Sequence, residues 1–325
     1  MSIQFDRKSR VFSLETGHTL YQMQADDEGT RVHLYYGPKT NCDMRYLIRF
    51  ADRGFSGNPK SRRNERSYSL DTLPQEYSTR GANDFRASAL ETLSAGGSRT
   101  AELRYAAHRI YSGRAPLEGL PHMRGDADTE TLEIDLKDPV LGLLVTLLYC
   151  VFPEDDLITR ACRIRNIGSD PITLEKAASL CLDLQEGMDD VLHFHGRHNM
   201  ERAPERLAIP HGSFTFGSTR GTSSHQENPF VILAAKTTTE DHGACLGCMM
   251  VYSGNHLTEI GKDQTGSVRL VMGLHPDGFA WTLESGEVFQ TPEVMLAYSP
   301  EGLNGVSQTF HRAIRRHLLP RGFSS

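Results

Sequence analysis

No apolar run approaches the roughly 18 residues that a membrane-spanning helix requires, so no span is expected. The first ten residues, M-S-I-Q-F-D-R-K-S-R, lack the apolar core of a signal peptide. Cysteine is sparse and unpatterned, with six residues at positions 42, 150, 162, 181, 245 and 248. That argues against a disulfide framework and for free thiols in a reducing cytoplasm. Tryptophan occurs once, as Trp281. G-x-S-x-G, the P-loop and G-x-G-x-x-G are missing, which removes the usual sequence grounds for a hydrolase elbow or a phosphate cradle. A concentrated basic face is missing too. Thirty-five Lys and Arg are interspersed with 41 Asp and Glu, for a net charge of −6. Neither nucleic acid nor an anionic membrane is an expected partner.

What is present is strand after strand. A chain of 325 residues makes one large or two ordinary domains and needs no covalent staple. Arg10–Leu14, Thr19–Gln24 and Arg31–Tyr36 read as a meander with turns at Gly17 and at Asp26–Gly29. Ala101–Tyr111 follows. Thr131–Leu136 alternates, with Leu132, Ile134 and Leu136 opposite Glu133 and Asp135. Leu141–Phe152 is apolar at both parities, as expected of a strand buried on both faces. Leu157–Asn166, Pro171–Leu184, Val231–Thr238, Cys245–Tyr252, Ser267–Met272 and Glu287–Tyr298 complete the series. About twelve to fifteen short strands without intervening helices predict a large antiparallel sandwich. The exception is Leu303–Leu318, where Leu303, Val306, Phe310, Ile314 and Leu318 fall at helical spacing. Pro320 and Gly322 stop it.

Arg66–Arg86 departs from both patterns. It carries Asp71, Glu76, Arg80, Asp84 and Arg86, with Pro74 and Gly81 as breakers. Tyr68, Tyr77 and Phe85 speak against disorder, so it reads as an ordered loop presenting polar groups to a partner. The run K-S-R-R-N-E-R before it reads as a solvated face.

Other constellations are weaker. His193 and His195 share a strand face at a spacing that can chelate a metal, but His198 would have to turn around Gly196 to join them. Edge histidines beside a turn are the favoured reading. Cys245 and Cys248 point to opposite faces of a strand and read as core thiols. In S-S-H-Q-E-N-P-F, Ser223–Phe230, the adjacency of Ser and His reads as a turn. No spacing singles out a catalytic pair among the 41 acidic residues.

Six ordered stretches nevertheless carry a resemblance. They are S-L-D-T-L-P-Q-E-Y (69–77) with D-F-R (84–86), S-S-H-Q-E-N-P-F (223–230), Y-S-G-N (252–255), Q-T-P-E-V (290–294) and G-L-N-G-V-S-Q-T-F-H (302–311). Together they resemble the amino-terminal part of bacterial family 36 glycoside hydrolases, α-galactosidases acting on melibiose, raffinose and related sugars. The resemblance implies an all-β fold, a large antiparallel β-supersandwich of galactose-mutarotase type over residues 1–300, with a C-terminal α-helix and linker over 301–325. A (β/α)8 barrel follows in the family. It supplies an aspartate nucleophile and an aspartate acid/base for a retaining mechanism. On that pattern this chain ends where the barrel begins and holds no catalytic residue, metal or cofactor. The family often forms tetramers in which N-terminal loops reach a neighbour's active site. The matching positions are Asp52 in D-R-G-F-S and Arg66 before S-Y-S-L-D-T-L. Where family members often show L-x-G-x-W, His198 stands near the tryptophan position.

Three functions follow for testing. The first is a non-catalytic domain lending Asp52 and Arg66 to a galactoside site, as part of a homo-oligomer. The second is a free-standing mutarotase-like epimerase using His225 or His195 with Glu293. The third is a carbohydrate-binding module, for which a single Trp is thin support.

Overall fold

A computed structural model describes residues 2–52, 60–62, 64–185 and 187–320. Among them twenty strands form three antiparallel sheets, and one α-helix closes the series. The four-stranded sheet is the expected meander, Val11–Glu15, Thr19–Ala25 and Arg31–Pro38, extended by Ile3–Asp6. In the six-stranded sheet the long strand Ile172–Leu184 pairs with Val268–Leu274 through its second half. Its first half pairs with Leu90–Ser94 and Trp281–Leu283. The ten-stranded sheet runs from Met200–Ala208 at one edge to Arg104–Ser112 at the other, with Leu143–Phe152 and Leu157–Asn166 inside. No helix among the described residues is long and apolar enough to cross a membrane.

The pleat sorts side chains as the sequence pattern requires. Val145, Leu147, Tyr149 and Val151 enter a continuous core shared by all three sheets, while Cys150 and Phe152 join a second cluster on the opposite face. Leu132, Ile134 and Leu136 enter the shared core. Glu133 and Asp135, on the other face, both accept from Arg109. Cys245 and Cys248 fall in different clusters, and all six thiols are free. The strands that period-two reading misses are chiefly edge strands. Met200–Ala208 (M-E-R-A-P-E-R-L-A) has almost no apolar face and carries Pro204, the composition that keeps an edge from pairing further. Glu287–Tyr298 is two strands, Val288–Gln290 and Val294–Ser299, separated at Pro292.

The helix Gly302–Ala313 continues through a π turn, Ile314–Leu318. It lies on the outer face of the ten-stranded sheet, where Val306, Phe310 and Ala313 pack with Cys245, Ala297 and Leu192. The close approach depends on Gly247 in the strand Cys245–Met250. A Cβ there would lie 2.5 Å from Val306 Cγ1 and 2.6 Å from Phe310 Cε2. Gly247→Ala is therefore expected to push the helix off the sheet and cost about 1–3 kcal/mol, measurable as a lower urea midpoint at unchanged m-value.

Candidate functional site

Arg66–Arg86 is an ordered loop, but its polar groups do not face outward as the sequence suggests. Every residue from Tyr68 to Thr79 is buried, whereas Phe85 is 82% exposed. Isolated bridges, Val32 with Gln75 and Thr79 with Leu90, tie it to the sheets. The loop is bonded to all three sheets. Its backbone and carboxylates therefore need partners inside the protein.

Glu76, fully buried, is the centre of one such set. Tyr21 Oη donates to its two oxygens at 2.8 and 2.7 Å, and Tyr149 Oη donates at 2.5 Å. His33 Nδ1 lies 2.7 Å from Oε1, and Arg160 Nη1 donates to Oε2 at 3.0 Å. Arg160 Nη2 also reaches the Glu76 carbonyl, and its guanidinium sits 4.5 Å over the Tyr149 ring. Burial alone raises the Glu76 carboxyl. His33, Arg160 and Tyr149 outweigh it and hold the group below the ordinary carboxylate range. These contacts join the loop to the four-stranded and ten-stranded sheets.

A second set ties the loop to the six-stranded sheet. Asp183 and Arg269 are register partners and form a two-pronged pair at 2.6 Å. Arg269 Nη1 also lies 2.7 Å from Asp84, which accepts from Arg86 Nε at 2.9 Å. Arg86 Nη2 donates to the Leu70 and Leu73 carbonyls, and Gln75 N donates to Asp183. Burial pushes Asp183 up, but Arg269 and Arg86 pull it further down. Both Glu76 and Asp183 thus have folded values below their unfolded ones, near 4. Their stabilisation is complete above that value and is lost as pH falls through it toward the folded values. Guanidinium midpoints are expected to hold from pH 7 to about 5 and to fall below roughly pH 4. A midpoint that rises on acidification would contradict this.

At the rim, the two positions singled out from sequence come together. Arg66 Nε donates to Asp52 Oδ1 at 3.0 Å, with both side chains over 60% exposed. Their neighbours Phe50, Glu65 and Ser67 line a cleft of about 380 Å³, with Asp26, Arg62 and Tyr68 in its wall. That wall is braced: Tyr68 Oη donates to Asp26 at 2.6 Å, and Arg62 lies 5.0 Å over the Tyr68 ring. Arg62 also pairs with Glu28 and Glu65, so this part of the charged run is a braced wall and not merely a solvated face. Arg53 to Pro59 of the preceding loop lie outside the described residues.

The other candidates stay apart. Glu293 is buried against Arg114 at 2.8 Å and accepts from Met123 N. Burial raises its carboxyl despite Arg114. It has no contact with His195, and His225 is exposed on a turn. An acid/base pair for epimerisation is not assembled. In that turn Ser224 Oγ accepts from Gln226 N, and Asn228 Nδ2 donates to the Phe194 carbonyl. His193 and His195 share a strand face, while His198 is exposed at the following turn. Among the described residues there is no group of three or more His, Cys, Asp or Glu side chains that could hold a metal ion. Arg160, Tyr149, Tyr21 and His33 were not legible as a network. The available signal was Arg160 itself, a cation on the apolar face of Leu157–Asn166 between Ile158 and Cys162.

Comparison with known proteins gives concordant results. The family model described as glycosyl hydrolase family 36 N-terminal domain matches residues 29–284. The chain is 49% identical over 319 residues to the bifunctional α-galactosidase/sucrose kinase AgaSK of Mediterraneibacter gnavus, covering 98% of this chain and 34% of that protein. It is 42% identical to α-galactosidase AgaA of Geobacillus stearothermophilus, covering 99% and 44%. The solved galactosidase domain of AgaSK superposes with a TM-score of 0.95 over 97% of this chain and 44% of that one. An AgaA variant solved with raffinose superposes at 0.93, 42% identical over 96% and 44%. The chain therefore spans 34–44% of the length of these relatives.

Proposed function

Because the chain belongs to glycosyl hydrolase family 36 as its N-terminal domain, we propose that it is the non-catalytic sandwich of an α-galactosidase that cleaves terminal α-galactosides such as melibiose and raffinose. Residues 1–300 form the sandwich, and 301–325 join it to the catalytic domain. Asp52 and Arg66 are the part offered to sugar. The observation that supports this reading is the contrast between the interior of the Arg66–Arg86 loop and its rim. Its Glu76 and Asp84 are locked in buried networks, while Arg66 and, across from it, Asp52 stand at the solvent-facing rim beside a cleft. A guanidinium donates to sugar hydroxyls and a carboxylate accepts from them, in charge-assisted bonds stronger than neutral ones.

In this reading the sugar belongs to a neighbouring subunit of a homo-oligomer. Hybrid assemblies test it. Subunits with Arg66→Ala are mixed with subunits lacking the catalytic nucleophile of the barrel. Recovery of α-galactosidase activity above either parent is expected if Arg66 acts in trans. Hybrids no more active than the sum of their parents would remove the intersubunit role.

A further inference from the structure

We propose that Arg124, Asp155 and His317 are positioning residues: they fix the direction in which the chain leaves the sandwich, and with it the place of the Asp52–Arg66 rim against the galactoside site. The inference rests on the reading above, in which residues 301–325 lead into a catalytic domain. The exit is the π turn Ile314–Leu318. A helix end leaves its last carbonyls without partners, so such ends fray unless something satisfies them. Here a side chain from a distant segment does.

Arg124 lies between the strands Arg104–Ser112 and Glu130–Asp138. Its guanidinium donates to the Arg316 carbonyl at 3.4 Å, to the Leu318 carbonyl at 3.3 Å and to the Leu319 carbonyl. Its amide donates to the His317 carbonyl at 2.8 Å. His317 returns the contact, with Nδ1 2.9 Å from the Arg124 carbonyl and Nε2 2.7 Å from Asp155 Oδ2. Both oxygens only accept, so the ring donates from both nitrogens. His317 and Asp155 are 3% and 1% exposed, and the imidazole lies 4.8 Å from the Phe152 ring. Arg316 Nη1 donates to the other oxygen of Asp155 at 3.1 Å, and its Nη2 to Glu154 at 2.8 Å. Such a network specifies one arrangement, because any other leaves a buried carboxylate or a carbonyl unpaired.

The same turn is tied to the sheet that carries the Arg66–Arg86 loop. Asp156 Oδ1 accepts from Thr16 Oγ1 at 2.8 Å and from His18 N at 2.7 Å, and Gly17 N donates to the Pro153 carbonyl at 2.9 Å. Thr16 to His18 join Val11–Glu15 to Thr19–Ala25 in the four-stranded sheet. In that sheet the Arg31 carbonyl accepts from Glu76 N, and His33 N donates to the Pro74 carbonyl. Residues 153–156 thus hold the exit on one side and the loop-bearing sheet on the other. Where the rim serves a neighbouring subunit, its distance from the sugar depends on the angle between each sandwich and its own catalytic domain. A misplacement of about 1 Å can cost roughly 100-fold in rate.

The test is a kinetic cycle in the chain joined to its catalytic domain, paired with hydrogen exchange. Arg124 is partly exposed, so Arg124→Ala should leave far-UV circular dichroism unchanged. Exchange across residues 314–319 should quicken by about tenfold or more, and kcat/KM for raffinose should fall by about tenfold or more. His317→Gln should give the same pattern. In an Arg66→Ala background the Arg124→Ala change should cost less than about threefold, because the clamp acts through the rim. An equal fall in both backgrounds, or exchange as slow as in the wild type, overturns the proposal. Arg66→Ala without effect of its own would instead remove the rim as a sugar contact, and with it what the clamp positions.

Discussion

Glu76→Gln is expected to destabilise the protein by roughly 3–5 kcal/mol, the usual cost of removing one partner from a buried ion pair. Glutamine keeps the volume, so the loss is not a cavity effect. It arises because Arg160 stays fully buried with its charge no longer matched, and because His33 and two tyrosine hydroxyls lose a shared anionic acceptor. Total stabilities of about 5–15 kcal/mol make this a large fraction of what holds the fold. Guanidinium unfolding followed by circular dichroism measures it directly. A loss below about 1 kcal/mol, the range of an exposed pair, would show that the Glu76 cluster does not anchor the loop.

Arg66→Ala should behave in the opposite way. Its partner is exposed, so the change is expected to alter stability by no more than about 1 kcal/mol. In the chain joined to its catalytic domain, kcat/KM for raffinose should fall by roughly 10–150-fold, equivalent to the about 1.5–3 kcal/mol of a hydrogen bond from a charged group. Asp52→Asn should fall by a similar factor. The double variant should lose less than the product of the two, because each residue orients the other. Equal kinetics for wild type and Arg66→Ala would dismiss the pair as a sugar contact. Glu76→Gln and Arg66→Ala together separate what holds the loop from what the loop offers.

The difference between these residues marks how far the sequence could be read. Leu143–Phe152 announces a strand buried on both faces because apolarity at both parities has no other economical meaning. Val306 and Phe310 likewise announce a helix face. Asp183 and Arg269, 86 residues apart, meet only because two strands pair in one register, and register is a property of the whole sheet. The same holds for His193 and Glu205, which meet as register partners on neighbouring strands. Arg66–Arg86 misleads for a related reason. Charge density normally signals solvent, but here Glu76 faces Arg160 and Asp84 faces Arg269, each supplied by a distant strand. Asp52 and Arg66 rest on the resemblance, and no local pattern distinguishes them from the other charges around them.

Release of p-nitrophenol from p-nitrophenyl-α-galactoside by the purified 325-residue chain bears most directly on the division of labour proposed for this domain. No release above the uncatalysed rate is expected from the chain alone, with hydrolysis appearing when it is joined to its catalytic domain. Turnover that co-purifies with the isolated, folded chain would place the chemistry within these sheets and contradict the assignment.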